Sequence, residues 1–218
     1  MKISIVIPTL NEEVGLYHTL SCIPKFINEI IIVDGYSTDN TIQIARTFRT
    51  RVYFDDVGKG SALIKGMKKA TGDIIIIADG DFAHDFKDIK KMVELLNDYD
   101  ICMPSRFLKG GGSNDITFTR RLANFFIAKS INFIWNSGFT DVCYGFRAMK
   151  KDIVEILDLK SSGFEIETEL SIKVAKKKIK YIEMPTFENK RKWGFGKLNT
   201  VKDGLRILNR IVVEMFSK

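Results

Sequence analysis

Cysteine, histidine and long apolar runs are all scarce in this sequence of 218 residues, and each scarcity excludes a class of protein. The three cysteines, Cys22, Cys102 and Cys143, cannot all pair within the chain, and none stands in a C-x-x-C spacing. A disulfide framework and a cysteine zinc site are therefore not expected. No apolar run approaches the roughly 20 residues that a membrane span needs. The longest, such as IIIIA at 74–78, have the length of a buried strand. The opening MKISIVIPTLNEE is too short in its apolar part for a secretory leader and lacks a cleavage site. With reduced cysteines, that leads to the expectation of a cytoplasmic protein. Internal repeats and linker-like segments are also missing, so one domain over residues 1–218 is expected.

What is present is an ordinary globular balance, 45% hydrophobic and 28% charged. The charge is unevenly placed. Residues 1–170 carry 21 Lys/Arg against 23 Asp/Glu, whereas residues 171–218 carry 13 against 4. A basic final quarter on a slightly acidic body calls for an anionic partner, whether nucleic acid, a phosphate ligand or an anionic membrane surface.

Short aliphatic runs alternate with helical patterns through the first half, as in a parallel sheet with crossover helices. Strands are expected at 3–7, 29–33, 51–54 and 74–78, with helices at 12–24, 39–49 and 60–70 between them. The runs are rich in Ile and Val without alternation, which fits strands covered on both faces. Later come a strand at 101–107, a loop at 109–115 and an aromatic, basic helix at 117–136. A helix at 164–177, a strand at 179–184 ended by Pro185 and a terminal helix at 198–216 complete the pattern. Residues 1–100 thus read as one half, 101–197 as a second and 198–218 as a C-terminal amphipathic helix.

Ligands of open parallel sheets bind beyond the carboxyl ends of the strands, so the polar residues there are the candidates. They are Thr9 to Glu13, Asp34 to Asp39, and Asp79-Gly80-Asp81. Carboxylates at i and i+2 in extended chain point to one side. Two hard oxygen ligands with little bulk between them suit Mg²⁺ or Mn²⁺ shared with a diphosphate. A solvated acidic turn accounts for the same residues. Asp34 can accept from a base or ribose, whereas Asp39 suits a helix cap. GKGSALIKG at 58–66 opens a helix and fits either an anion site or a tight turn, without Walker or dinucleotide spacing.

Taken in order, these pieces resemble glycosyltransferase family 2, with its GT-A fold. The likeness is to dolichyl-phosphate mannose or glucose synthases and related polyprenyl-phosphate sugar transferases. The residues that carry it are VIPTLNEE (6–13), VDGYSTDNT (33–41), GKGSALIKG (58–66) and ATGDIIIIADGD (70–81). PSRF (104–107), DVCYGFRAM (141–149), EMP (183–185) and RKWGFGK (191–197) continue it. The resemblance implies a Rossmann-like, mostly parallel sheet flanked by helices. It places Pro8, Thr9, Glu12 and Asp34 around the nucleoside, and Asp79 and Asp81 at ribose, diphosphate and metal. Lys59 and Gly80 join this substrate-binding set. Arg106, Arg191 and Lys197 would surround the phosphates, and Arg120 or Arg121 would face an acceptor phosphate. Three positions depart from the family pattern: Gly35 replaces the second Asp of V-D-D, Ala83 a metal-binding Gln, and Gly196 a Ser.

The implied reaction is an inverting, metal-dependent transfer of a hexose from a GDP-mannose or UDP-glucose type of donor to a polyprenyl phosphate. A metal with Arg and Lys groups would stabilise the departing diphosphate. A hydroxyl acceptor needs a general base, whereas a phosphate monoester, with its second pKa about 6, is already ionised. Asp81, Arg106, Asp141 and Glu167 are the candidate catalytic residues. Of the two histidines, His84 is expected to brace the loop after Asp81. Apolar residues at 201, 205, 208, 212 and 216 share a helical face, with Lys202, Arg206 and Arg210 as a basic stripe. That helix fits either docking on the core or lying at the cytoplasmic face of a membrane. A hydroxyl-acceptor transferase and a catalytically dead sugar-nucleotide binder remain as alternatives. Nucleic acid is disfavoured because the aromatics match no single-strand motif.

Overall fold

The computed structural model describes residues 1–193 and 196–217. The elements run β1 (Ile3–Thr9), α1 (Glu13–Cys22), β2 (Glu29–Asp34), α2 (Thr41–Thr47), β3 (Arg51–Phe54), α3 (Lys59–Lys69), β4 (Ile74–Ile77) and α4 (Asp88–Leu95). Then follow β5 (Ile101–Ser105), β6 (Gly112–Ser113), α5 (Phe118–Trp135), β7 (Arg147–Lys150), α6 (Lys151–Leu157), α7 (Ile166–Lys176), β8 (Tyr181–Pro185), β9 (Phe187–Glu188) and α8 (Thr200–Phe216). Seven strands form one sheet in the order β3-β2-β1-β4-β7-β5-β8, and β6 pairs with β9 separately. All main-sheet pairings are parallel except the two made by β7.

The isoleucine-rich strands are covered on both faces, as their lack of alternation implies. Ile5 and Ile7 of β1 and Ile76 of β4 join a core layer with Leu16 of α1, Ala45 of α2 and Met92 of α4. Val6, Ile75 and Ile77 face the opposite layer with Leu63 of α3, Ile131 of α5, Leu170 of α7 and Ile207 of α8. The four isoleucines of β4 are at most 3% exposed. Burying each stabilises the fold by about 1.5–3 kcal/mol.

The chain leaves β1 toward β2 and β3 on one side and returns to β4 on the other. The strand order therefore reverses between β1 and β4. That switch point opens a crevice at their carboxyl ends, where Thr9 and the Asp79-Gly80-Asp81 turn emerge.

Some elements differ from the sequence-based expectation. The strand expected at 101–107 ends at Ser105, because Arg106 turns into a buried ion pair. Helices α4 and α6 and strand β7 were not anticipated. The four residues of β7, RAMK, are too few and too charged at their ends to read as a central strand. It nevertheless inserts antiparallel between β4 and β5. The loop at 109–115 contains β6, which pairs with β9.

For α8, the docking half of the alternative is what the structure displays. The helix docks through Ile207 and Ile211, and its buried Glu214 lies 3.8 Å from Lys173 and 3.4 Å from Lys176 of α7. Its ends are satisfied locally. Asn199 accepts from the amides of Val201 and Lys202 while Asp203 accepts from that of Asn199, and Lys176 donates to the Ser217 carbonyl. The stripe at 201, 205, 208, 212 and 216 nevertheless points outward, with Val201 74% and Phe216 83% exposed.

Candidate active site

A cleft of about 410 Å³ opens at the switch point and extends between α5 and α8. The candidate residues of the first half that reach it are Pro8, Thr9, Glu12, Lys59, Asp79, Gly80 and Asp81; those of the second are Arg106, Arg120, Glu167, Arg191 and Lys197. Twelve candidate positions, spread over the chain from Pro8 to Lys197, thus converge on one place, because β1 and β4 are neighbours and Glu167 of α7 reaches Lys59.

Lys59 is the joint between the two halves. Its ammonium lies 2.7 Å from Asp79 Oδ1 and 2.7 Å from Glu167 Oε1. A Cβ on Gly145 would come within 2.9 Å of Asp79 Oδ2 and 3.3 Å of both Glu167 Oε1 and Lys59 Nζ, so a side chain there would open the cluster. Burial works against the Lys59 charge, but the Asp79 and Glu167 carboxylates outweigh it and raise its pKa. Asp79 is also desolvated, yet Lys59 and His84 hold it well below the usual carboxylate range. Glu167 goes the other way: burial raises its pKa, and Lys59 only partly offsets this. His84 braces the turn as expected. Its Nδ1 is 2.9 Å from the Tyr144 hydroxyl, its Nε2 is 3.5 Å from Asp79 Oδ2, and its ring stacks on Phe146.

A segment from residue 189 onward crosses the cleft and is tied to both sides. The Asn189 amide donates to the Ala83 carbonyl, and the Arg191 amide to Asp115. The Arg191 guanidinium lies 2.7 Å from Asp81 Oδ2, and Trp193 stacks on His18 at 4.3 Å between ring centroids. Lys197 lies 2.6 Å from Glu12 Oε1 and also donates to the Leu10 carbonyl. Burial raises the pKa of Glu12, with Lys197 opposing. Gly194 and Phe195 of the RKWGFGK motif lie outside the described residues.

Three candidates are placed differently from their expected roles. Asp34 is fully buried. It accepts from Thr9 Oγ1 at 2.7 Å, from the Ser37 amide at 2.7 Å and from Ser37 Oγ at 2.6 Å. These three bonds shape the turn, and Gly35 and Asp55 line the cleft in its stead. Asp141 is likewise fully buried behind Arg106, which it grips through two nitrogens at 2.7 and 3.0 Å, so it cannot meet an acceptor. Arg106 touches the cleft only by an edge. A second carboxylate, Glu188, lies 3.1 Å away, and its charge is neutralised twice. Between the two neighbouring arginines the structure distinguishes plainly. Arg120 faces the cleft and donates to the Leu198 carbonyl, while Arg121 is exposed beside Phe107.

Glu188, Tyr144 and Asp115 belong to the site and were missed by motif reasoning. Glu188 and Asp115 fall between motifs and carry no local signal. Tyr144 sits inside DVCYGFRAM, and only its hydroxyl contact to His84 marks it out.

Among the described residues, no three His, Cys, Asp or Glu side chains gather as a preformed metal cage. The fit to Mg²⁺ or Mn²⁺ rests on Asp81, whose carboxylate already holds a cation, the Arg191 guanidinium, at the cleft. One or two carboxylates with phosphate oxygens and water completing the shell is the donor set these ions accept.

Comparison with known proteins agrees with this geometry. The model of the family described as Glycosyl transferase family 2 matches residues 4–157. The chain is 32% identical to a dolichol-phosphate mannosyltransferase of Pyrococcus furiosus, covering 97% of this chain and 64% of that protein. It is 28% identical to the low-salt glycan biosynthesis hexosyltransferase Agl6 of Haloferax volcanii, over 97% of this chain and 53% of that one. The chain therefore spans less than two thirds of the length of these two relatives. Among solved structures, glucosyl-3-phosphoglycerate synthase from Mycobacterium tuberculosis, in complex with Mn²⁺, UDP and phosphoglyceric acid, superposes with a TM-score of 0.77. The identity is 17%, over 100% of this chain and 79% of that one, a likeness of fold.

Proposed function

Since this chain belongs to glycosyl transferase family 2, we propose that it moves a hexose from a nucleoside-diphosphate sugar to a polyprenyl phosphate, inverting the anomeric centre. The observation that carries the acceptor class is the shape of the cleft. Beyond the charged cluster it continues between α5 and α8 over Ile116, Ala123, Ile127, Leu198 and Ile207, with Arg120 at the junction. A cation at the mouth of an apolar channel fits a phosphate joined to a hydrocarbon chain.

Each residue then has a task. Asp81 would hold Mg²⁺ or Mn²⁺, with Asp79 beside it; the ion supplies positive charge to the departing diphosphate. Lys59, Arg191 and Lys197 bring further cations to the same place. Each is paired with a carboxylate, so the donor exchanges one set of charge pairs for another instead of meeting bare charge. A phosphate acceptor arrives ionised and needs no base. A hydroxyl acceptor would need one, and Glu167, buried in the cleft with a raised pKa, would serve.

The outer faces of α5 and α8 support a peripheral membrane location. Phe118, Phe126 and Phe133 on α5 and Leu205, Leu208 and Val212 on α8 are more than half exposed, with Lys202 and Arg206 alongside. No helix among the described residues is long and apolar enough to cross a membrane. Two amphipathic helices flanking the channel can instead rest among lipid headgroups and receive the acceptor there.

The test is nucleotide release from UDP- and GDP-sugars with Mn²⁺ or Mg²⁺, with and without polyprenyl phosphate, beside Asp81→Ala. Release that requires the lipid phosphate and disappears in Asp81→Ala is expected. Release with a sugar hydroxyl acceptor alone, abolished by Glu167→Gln, would overturn the lipid reading in favour of the second one.

A further inference from the structure

Glu169 is fully buried on α7, two residues beyond Glu167 of the Lys59 cluster yet outside the cleft, and none of the chemistry above uses it. It is nonetheless heavily engaged. Its carboxylate accepts from the Lys160 amide at 2.9 Å and from the Ser161 amide at 2.7 Å. The Lys173 ammonium of the same helix is 2.9 Å away, and the Arg210 guanidinium of α8 lies at 3.7 Å. Four donors converge on one buried side chain, which only an ionised carboxylate, acceptor on both oxygens, can satisfy.

The loop it grips is the seat of Lys59. The Ser162 carbonyl accepts from the amides of Gly60 and Ser61 at 2.9 and 3.2 Å, two of the unsatisfied donors at the start of α3. The fit is close: a Cβ on Gly60 would lie 2.3 Å from the Ser161 carbonyl oxygen and 2.8 Å from that of Gly163. Phe164, next along the loop, lies under the Lys59 ammonium at 5.4 Å from its ring centroid. The loop thus fixes the turn at residues 58–60 from below and the Lys59 side chain from the side.

We propose that Glu169 is a positioning residue for Lys59: it clamps the 160–163 loop against the start of α3 and, through Arg210, ties nucleotide binding to the seating of α8. It acts on the donor through Lys59 and never touches it. The inference rests on reading Lys59 as a donor contact. It adds that a helix whose outer face is apolar and whose inner face holds Glu169 is mechanically joined to the donor end of the cleft. Anything that lifts α8 withdraws one of the cations that balance Glu169 and loosens the loop under Lys59.

The experiment compares Glu169→Gln with the unaltered chain. Gln keeps the volume but turns one oxygen into a donor, which then faces an amide or a cation. Expected are an approximately tenfold weaker Kd for GDP or UDP with Mn²⁺ by calorimetry and a similar rise in donor KM, with acceptor KM within about twofold. In a Lys59→Met background the same substitution should change nucleotide Kd by less than about twofold, since its route of action is gone. A second readout needs no ligand: reductive methylation of Lys59, followed by mass spectrometry, should be severalfold faster in Glu169→Gln and in Arg210→Gln. A lower Tm with unchanged nucleotide Kd and unchanged Lys59 reactivity would overturn the proposal, as would full additivity with Lys59→Met. If the unaltered chain binds neither nucleotide, the donor reading fails, and Lys59 reactivity alone still decides whether Glu169 positions it.

Discussion

Replacing Lys59 by Met isolates what the cation does for the cluster it joins. Its ammonium is 2.7 Å from each of two carboxylates, of which Glu167 is 4% exposed and Asp79 27%. Without it, two negative charges share a desolvated space. Removing one member of a buried pair costs about 3–5 kcal/mol when the remaining charge has nowhere to go. Here the strain has an outlet, because Glu167 already has a raised pKa from burial and loses the one group that opposed the rise. Asp79 keeps His84 and stays ionised. In the variant, then, Glu167 holds its proton to a higher pH when folded than when unfolded, where its pKa is near the ordinary 4.5. A folded pKa above the unfolded one gives stability that is complete at low pH and drains away as pH rises toward the folded value. Each unit of difference is worth 1.36 kcal/mol. The penalty of Lys59→Met should accordingly be smallest at pH 5 and grow toward the roughly 3–5 kcal/mol of a broken buried pair as pH rises to 8. Urea unfolding of both chains at pH 5, 6.5 and 8 measures it, and adding Glu167→Gln should recover most of the loss at pH 8. A penalty that is flat between pH 5 and 8, or that Glu167→Gln does not relieve, would refute the reasoning.

Two further outcomes follow from pairs that the structure separates. Arg120→Ala should raise the KM for a polyprenyl phosphate by about tenfold or more, as expected for loss of a charge-assisted contact, while Arg121→Ala should leave it within about twofold; equal effects would contradict the placement of Arg120 in the cleft. At the far end of the sheet, burial disfavours the Glu29 charge, but donors from Ser4, Thr71 and Arg51 overcome this and hold its pKa at about 2. A depressed carboxylate stabilises the fold above its unfolded pKa and loses that contribution as pH falls from about 4.5 toward 2, so acid unfolding should shift to lower pH sensitivity in Glu29→Gln, which forgoes at most about 3 kcal/mol at neutral pH.

The parts of the fold and site that were legible in the sequence share a property: their signal is local. β4 is four isoleucines with a D-G-D turn at its end, and both its covered faces and its place at the crevice could be argued from residues 74–81 alone. The same is true of α3, opened by a glycine-rich run, and of α5, begun at Thr117, whose side chain accepts from the Arg120 amide. What stayed illegible depends on partners far away in the chain. Nothing in RAMK announces β7, because its stability comes from hydrogen bonding between β4 and β5, strands more than forty residues earlier. Asp34 reads as a free acceptor at a strand end and Asp141 as a catalytic carboxylate, and the three donors around Asp34 or the grip of Asp141 on Arg106 appear only when separate motifs meet. The outward stripe of α8 is the sharpest case. Five apolar residues at helical spacing define a face, but periodicity does not say which face meets the protein. Here a second, narrower one, Ile207 and Ile211 with the buried Glu214 paired to Lys173 and Lys176, supplies the docking. The wider apolar face is thereby left exposed. A helix that satisfied the core with its more hydrophobic side would have hidden that surface, and the channel between α5 and α8 would open onto water instead of onto an apolar rim.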